Sequence, residues 1–167
     1  MSSPVLGRRP LVLGLSALGV TACTAPPRTQ ADHVMILKNE RRLLLIKHRA
    51  VFEEYRVGLG FSPTGHKRHE GDGRTPEGQY WVDRKNPNSA FHLSVGLDYP
   101  NAMDIARARA MGVDPGGDIF IHGRPNGPYD PTDPDWTAGC IAVTNREMED
   151  IYASVRIGTP VTITNSA

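Results

Sequence analysis

Cys140, in the stretch DWTAGCIAVTN, and His122, which ends the apolar run DIFIH, are the side chains of this sequence best suited to nucleophilic chemistry. A free thiol has a pKa of about 8.5, so an imidazole able to take its proton raises the reactive fraction at neutral pH. Three fates are open to Cys140: a buried inert thiol, an intermolecular bridge, or a nucleophile. Its neighbours favour the last. Thr137 and Ala138 are small enough to leave the sulfur accessible, and Gly139 lets the backbone approach a ligand closely. Consecutive N–H groups around such a turn can also face a developing oxyanion. Of six histidines, His122 is the best base, because it is followed by Gly123 and its ring should emerge at a strand end. Thiol, imidazole and backbone dipoles suffice for acyl transfer, so no metal or organic cofactor is implied.

These two residues need a framework, and the hydropathy pattern predicts a mainly β one. Residues 33–38 and 41–47 are apolar runs parted by Asn39-Glu40, a hairpin signal. Further strands are expected at 51–59, 79–83, 91–95, 118–122, 140–143 and 159–164. Two short helices join them. Asn101 can cap 102–111, with Ala102, Ile105, Ala106 and Arg109 at helical spacing and the apolar ones expected in the core, and Gly112 ends it. Thr144 or Asn145 can cap 146–155, whose Met148, Ile151, Tyr152 and Val155 share a core-facing side.

Residues 62–76, SPTGHKRHEGDGRTP, form a long polar segment expected to be mobile and to contact solvent or substrate. Within it His66, His69 and Asp72 resemble metal ligands, but zinc needs three or four converging groups at known spacing, so no metal site is expected. Trp136 and Tyr129 are expected to line the cleft, and Asp130, Asp133 and Asp135 to form a solvated acidic rim.

The remaining features concern address. Arg8-Arg9, the apolar run 11–20 and Val20-Thr21-Ala22-Cys23 read as an export signal, too short for a permanent membrane span. The close of that run resembles a bacterial lipobox, which makes residues 1–22 a lipoprotein-type leader and Cys23 the acylated first residue of the mature protein. A plain secretory signal cut near Ala22 or Ala25 is the alternative. Residues 23–31 then form a Pro-rich tether and 32–165 a single catalytic domain. Lys plus Arg number 19 against 18 Asp plus Glu, a balance without the basic excess that nucleic-acid binding requires.

Ile121-His122-Gly123 followed by Thr137-Ala138-Gly139-Cys140-Ile141 resembles the signature of the YkuD-type L,D-transpeptidases. Thr75-Pro76-Glu77-Gly78-Gln79-Tyr80 is similar to the family's Thr-Pro-x-Gly-x-aromatic element, and Gly158-Thr159-Pro160-Val161 to its closing strand. Residues 65–78 and Asp135-Trp136 further resemble the YafK-like branch. The resemblance implies an α+β fold of mainly β character, sandwich-like or barrel-like. It implies Cys140 as nucleophile, His122 as general base, the Gly123 carbonyl as the group orienting the imidazole, and the amides of Gly139 and Cys140 as the oxyanion hole. The implied partners are peptidoglycan stem peptides, met in the cell envelope with the lipid on Cys23 holding the protein to the membrane.

The sequence departs from that family at Ala138 and Ala142, where many members carry polar residues. A cation from Lys67, Arg74 or Arg124 is therefore expected to contact a substrate carboxylate, with Thr137 beside it. Two alternatives stand next to transpeptidation: hydrolysis of the same thioester by water, and a non-catalytic wall-binding module.

Overall fold

Alternation of apolar residues drives the first hairpin, β1 (His33–Leu37) against β2 (Arg42–Lys47). The register pairs Val34 with Leu45 and Ile36 with Leu43, and all four side chains are fully buried. Each contributes roughly 1.5–3 kcal/mol through burial. The structure, a computed structural model, describes residues 28–128 and 131–165. Cys23, the leader, most of the tether, Tyr129 and Asp130 lie outside the described residues.

β3 (Ala50–Arg56) adds to β2, and β8 (Pro160–Thr164) runs parallel to β1. β8 also pairs with β4 (Gly78–Ser89), which continues through β5 (His92–Leu97) and β6 (Phe120–His122) to β7 (Ile141–Ala142). β4 is far longer than the segment 79–83 expected from hydropathy. Register shifts after Val82 and after Asn86 bend it, so that its first residues pair with β8 and its later ones with β5. The chain following β3 then closes the sheet, since Gly58 pairs with Ala142 and Gly60 with Thr137. The architecture is the expected α+β fold with barrel-like closure, and the two edges meet beside Cys140.

The helices show one success and one correction. α2 (Asn145–Ser154) is capped by Thr144 in a capping box with Glu147, and Met148, Ile151 and Val155 are buried. α1 (Ala102–Met111) has the predicted Asn101 cap and Gly112 terminus, yet its expected apolar face is solvent-exposed, Ile105 at 41%. Asp104 and Ala108 are buried instead. The reason is polar: Asp104 accepts from Tyr80 Oη and Asn101 N, both at 3.1 Å, which turns that side of the helix inward.

Residues 62–76 are also more constrained than a mobile loop. Fully buried Lys38 donates to Gly65 O (2.6 Å), Thr75 O (2.8 Å) and Glu77 Oε1 (2.8 Å), tying both ends of the segment to β1's end. Burial pushes the Lys38 pKa down, with Glu77 pulling the other way. Asp72 binds Lys67 Nζ at 3.0 Å and accepts from the amides of Arg68 and Arg74.

Candidate active site

His122 stands at the end of β6, where the parallel pairing to β7 sets it beside Ala142. Its Nδ1 lies 2.8 Å from Gly123 O in a buried contact. A carbonyl can only accept, so Nδ1 carries the proton and Nε2 of the neutral ring is left bare. Gly123 is held by Phe91 O and Leu93 O, and a Cβ there would meet Asn145 Oδ1 at 2.7 Å, so only glycine fits the approach. Phe91 packs on the imidazole with centroids 4.7 Å apart, and Trp136 meets it edge-on at 5.5 Å. This enclosure buries the ring and lowers its pKa, against the smaller opposing effect of the Gly123 carbonyl.

Cys140 is half-buried and lines the same cleft as His122, a space of about 440 Å³ whose walls include Phe91, Trp136, Thr137 and Ala138. Its thiol points to Asp118 O at 3.4 Å rather than to the imidazole. Burial raises the thiol pKa, opposed by the Phe120 amide and the Lys67 charge, while the Asp118 charge raises it further. Both shifts favour the uncharged forms of the resting pair, thiol and imidazole.

The turn that presents Cys140 is built by Thr137. Its hydroxyl donates to Cys140 O (2.8 Å) and accepts from Gly139 N (3.2 Å), so the Gly139 amide already has a partner within the turn. Gly139 has φ 135°, and an added Cβ would meet Arg74 O at 2.7 Å. The left-handed conformation and that close carbonyl together require glycine. The extended segment 57–61 supports the same turn, with Thr137 N bonded to Leu59 O and Phe61 N to Thr137 O.

The three expected cations separate. Lys67 is 4% exposed with its amine on Asp72 and His69 O, and it lines a second cleft of about 350 Å³ that also reaches Cys140. Arg74 sends its guanidinium toward Gly65, and it lines neither Cys140 cleft. Arg124 donates to Pro131 O at 3.1 Å and lines a different pocket that shares Trp136 as a wall. His66 and His69 have separate partners, Glu77's backbone and Glu70 O.

Two features escaped the sequence reading. Asp135 is no solvated rim residue: it takes a paired contact from Arg41 (3.1 and 2.6 Å) and the Leu59 amide (3.1 Å), clamping the segment before Cys140. Phe91 reaches His122 because β5 pairs antiparallel with β6. No local pattern marks either contact, since both depend on long-range register.

The L,D-transpeptidase catalytic domain family, YkuD, matches residues 31–163. YafK of Escherichia coli strain K12 is 30% identical over 130 residues, covering 74% of this chain and 46% of that protein. The helical cell shape determining protein Pgp2 of Campylobacter jejuni superposes with a TM-score of 0.65 at 28% identity, covering 81% of this chain and 48% of that one. An Enterococcus faecium L,D-transpeptidase, at 15% identity and a TM-score of 0.53 over 81% of this chain and 50% of that one, shares the fold. The chain spans about half the length of the relatives it matches.

Proposed function

From the premise that this chain belongs to the L,D-transpeptidase catalytic domain family, we propose that it transfers acyl groups of peptidoglycan stem peptides through a thioester on Cys140. One observation carries the reading: a buried imidazole with Nδ1 on Gly123 O lines the same cleft as the thiol. In the first step the thiol leaves Asp118 O and gives its proton to His122 Nε2, while sulfur attacks the peptide carbonyl carbon. The Cys140 amide holds the oxyanion, while the Gly139 amide, bonded to Thr137 Oγ1, fixes the turn that presents it. The tetrahedral species collapses as His122 returns the proton to the departing amine, leaving the thioester. An acceptor amine then attacks, His122 takes its proton, and the product departs as the thiol is regenerated.

The neutral resting pair suits this order of events, because the proton moves only when a substrate carbonyl is in place. Trp136, Phe91 and Thr137 form the walls that hold the donor peptide. The domain at 32–165 is read as the catalytic unit, with Cys23 as the lipidated anchor that keeps it in the cell envelope. No described helix is long and apolar enough to cross a membrane.

The test is incubation of the purified protein with muropeptides, followed by mass spectrometry. Crosslinked or exchanged stems in the wild type, and none with Cys140→Ala, are expected. Shortened stems without any joined product would replace the acceptor amine by water. Intact stems with no adduct on Cys140 would overturn the acyl-transfer reading.

A further inference from the structure

A further pocket, of about 280 Å³, shares Trp136 and is lined by Arg41, Arg56 and Arg124 with Ala142 and Glu147 on its walls. Trp136 is a wall of both this pocket and the Cys140 cleft, and Ala142 is the register partner of His122. The pocket and the thiol cleft thus share Trp136 as a common wall.

Its charges are unequally engaged. Arg41 is paired with Asp135, and the Glu147 carboxylate accepts from Thr144 N (2.8 Å) and Thr144 Oγ1 (2.7 Å) to cap α2. Arg124 is held by Pro131 O. Arg56, by contrast, makes no side-chain hydrogen bond or ion pair among the described residues. Asp135 and Glu147 offset part of the guanidinium charge, which favours a single carboxylate over a multiply charged phosphate. A guanidinium fork binds a carboxylate in two parallel hydrogen bonds. Val57, Pro134, Ala142 and Val143 supply apolar walls that exclude water from such a contact.

We propose that this pocket is a carboxylate subsite: Arg56, supported by Arg124 and Arg41, grips a carboxylate of the donor peptide while its reactive carbonyl lies across Trp136 at Cys140. The inference rests on the acyl-transfer reading. It assigns the substrate an anionic group one aromatic ring away from the bond that breaks, and makes Arg56 a specificity-determining residue. The carboxylate can be the one that ends the peptide or one on a side chain.

The test uses Cys140→Ala protein, which holds ligand unreacted, and isothermal titration with three stem peptides: the free acid and two forms, amidated at the terminal or at the side-chain carboxylate. One of the amidated forms is expected to bind at least about tenfold more weakly, the usual scale for a lost charge-assisted hydrogen bond. Adding Arg56→Ala should weaken the free acid by a similar factor and leave that amidated form unchanged, with Arg56→Lys intermediate. A melting curve checks that the exposed substitution leaves the fold intact. Equal binding of all three peptides, or an amidation penalty that survives both Arg56→Ala and Arg124→Ala, overturns the subsite and leaves acyl transfer standing. Failure of every stem peptide to bind removes both.

Discussion

His122 Nδ1 and Gly123 O, 2.8 Å apart and buried, decide which nitrogen of the imidazole is free to act as a base. Adjacent residues in the chain thereby do the orienting that a third side chain does in other nucleophilic sites. Replacing His122 by Gln keeps a polar side chain of similar reach but removes the proton acceptor. Thioester formation, followed by intact mass after mixing with stem peptide, should slow by about 10²–10⁴-fold, the range of general-base catalysis.

The pH dependence of stability has two arms with opposite signs. Below about pH 6.5 an unfolded His takes a proton that buried His122 resists, so stability falls as pH drops. Above about pH 8.5 an unfolded Cys loses a proton that folded Cys140 retains, so stability falls as pH rises. Comparing denaturation midpoints across pH, Cys140→Ala should flatten the alkaline arm and His122→Gln the acid one. Iodoacetamide labelling of the native thiol should have its midpoint above the ordinary thiol value; a midpoint well below 8 would show an ion pair in place of the neutral one.

Asp72 gives a separate acid signature. Its pKa is about 2, with burial raising it and the Arg68 amide, Lys67 and the Arg74 amide together pulling it lower. The stability it contributes is present above about pH 3.9 and is lost as pH falls toward 2. Asp72→Asn should remove that acid dependence and cost about 1–3 kcal/mol at neutral pH, as expected for a buried Lys67 left without its carboxylate. Urea melts at pH 7 and pH 3 measure both effects.

Gly139→Ala places a Cβ 2.7 Å from Arg74 O at a φ that side chains avoid. A cost of about 1–3 kcal/mol is expected, with thiol reactivity changed as the turn shifts. Gly117→Ala, whose Cβ would meet nothing nearer than Pro100 Cδ at 3.9 Å, serves as the control and should stay within about 0.5 kcal/mol. Thermal melts and labelling rates of the pair provide the comparison.

On α1 the polar residue matters more than the apolar one. Asp104→Ala leaves the buried Tyr80 hydroxyl and the Asn101 amide without their acceptor, and should cost about 1–3 kcal/mol. Ile105→Lys, at an exposed site, should change stability by less than about 0.5 kcal/mol. Equal losses from the two substitutions would show that the helix packs by its apolar side after all.

Local signals carried much of this structure. The β1–β2 hairpin follows from two apolar runs, and both helix starts follow from capping residues, Asn101 and Thr144. The placement of His122 and Cys140 in one cleft agrees with the motif order read from the chain. What stayed hidden depends on distant partners. Spacing alone cannot show that Asp104 turns inward to Tyr80, that Asp135 clamps Arg41, or that Phe91 covers His122. The later part of β4 is obscured because Asn86-Pro87-Asn88 reads as a turn, whereas the structure accommodates it as an irregular, bulged strand.

The closure at Gly58 and Ala142 has a consequence for the integrity of the polypeptide. β6 and β7 are zipped side by side, and segment 57–61 grips β7 from its other flank through the Gly58–Ala142 bridge. A cut after Gly127 would therefore put sulfur and imidazole on different fragments while leaving their mutual lattice of backbone bonds in place. Two inert halves, expressed together, should find each other and regain reactivity, which would make the molecule a candidate for a complementation reporter.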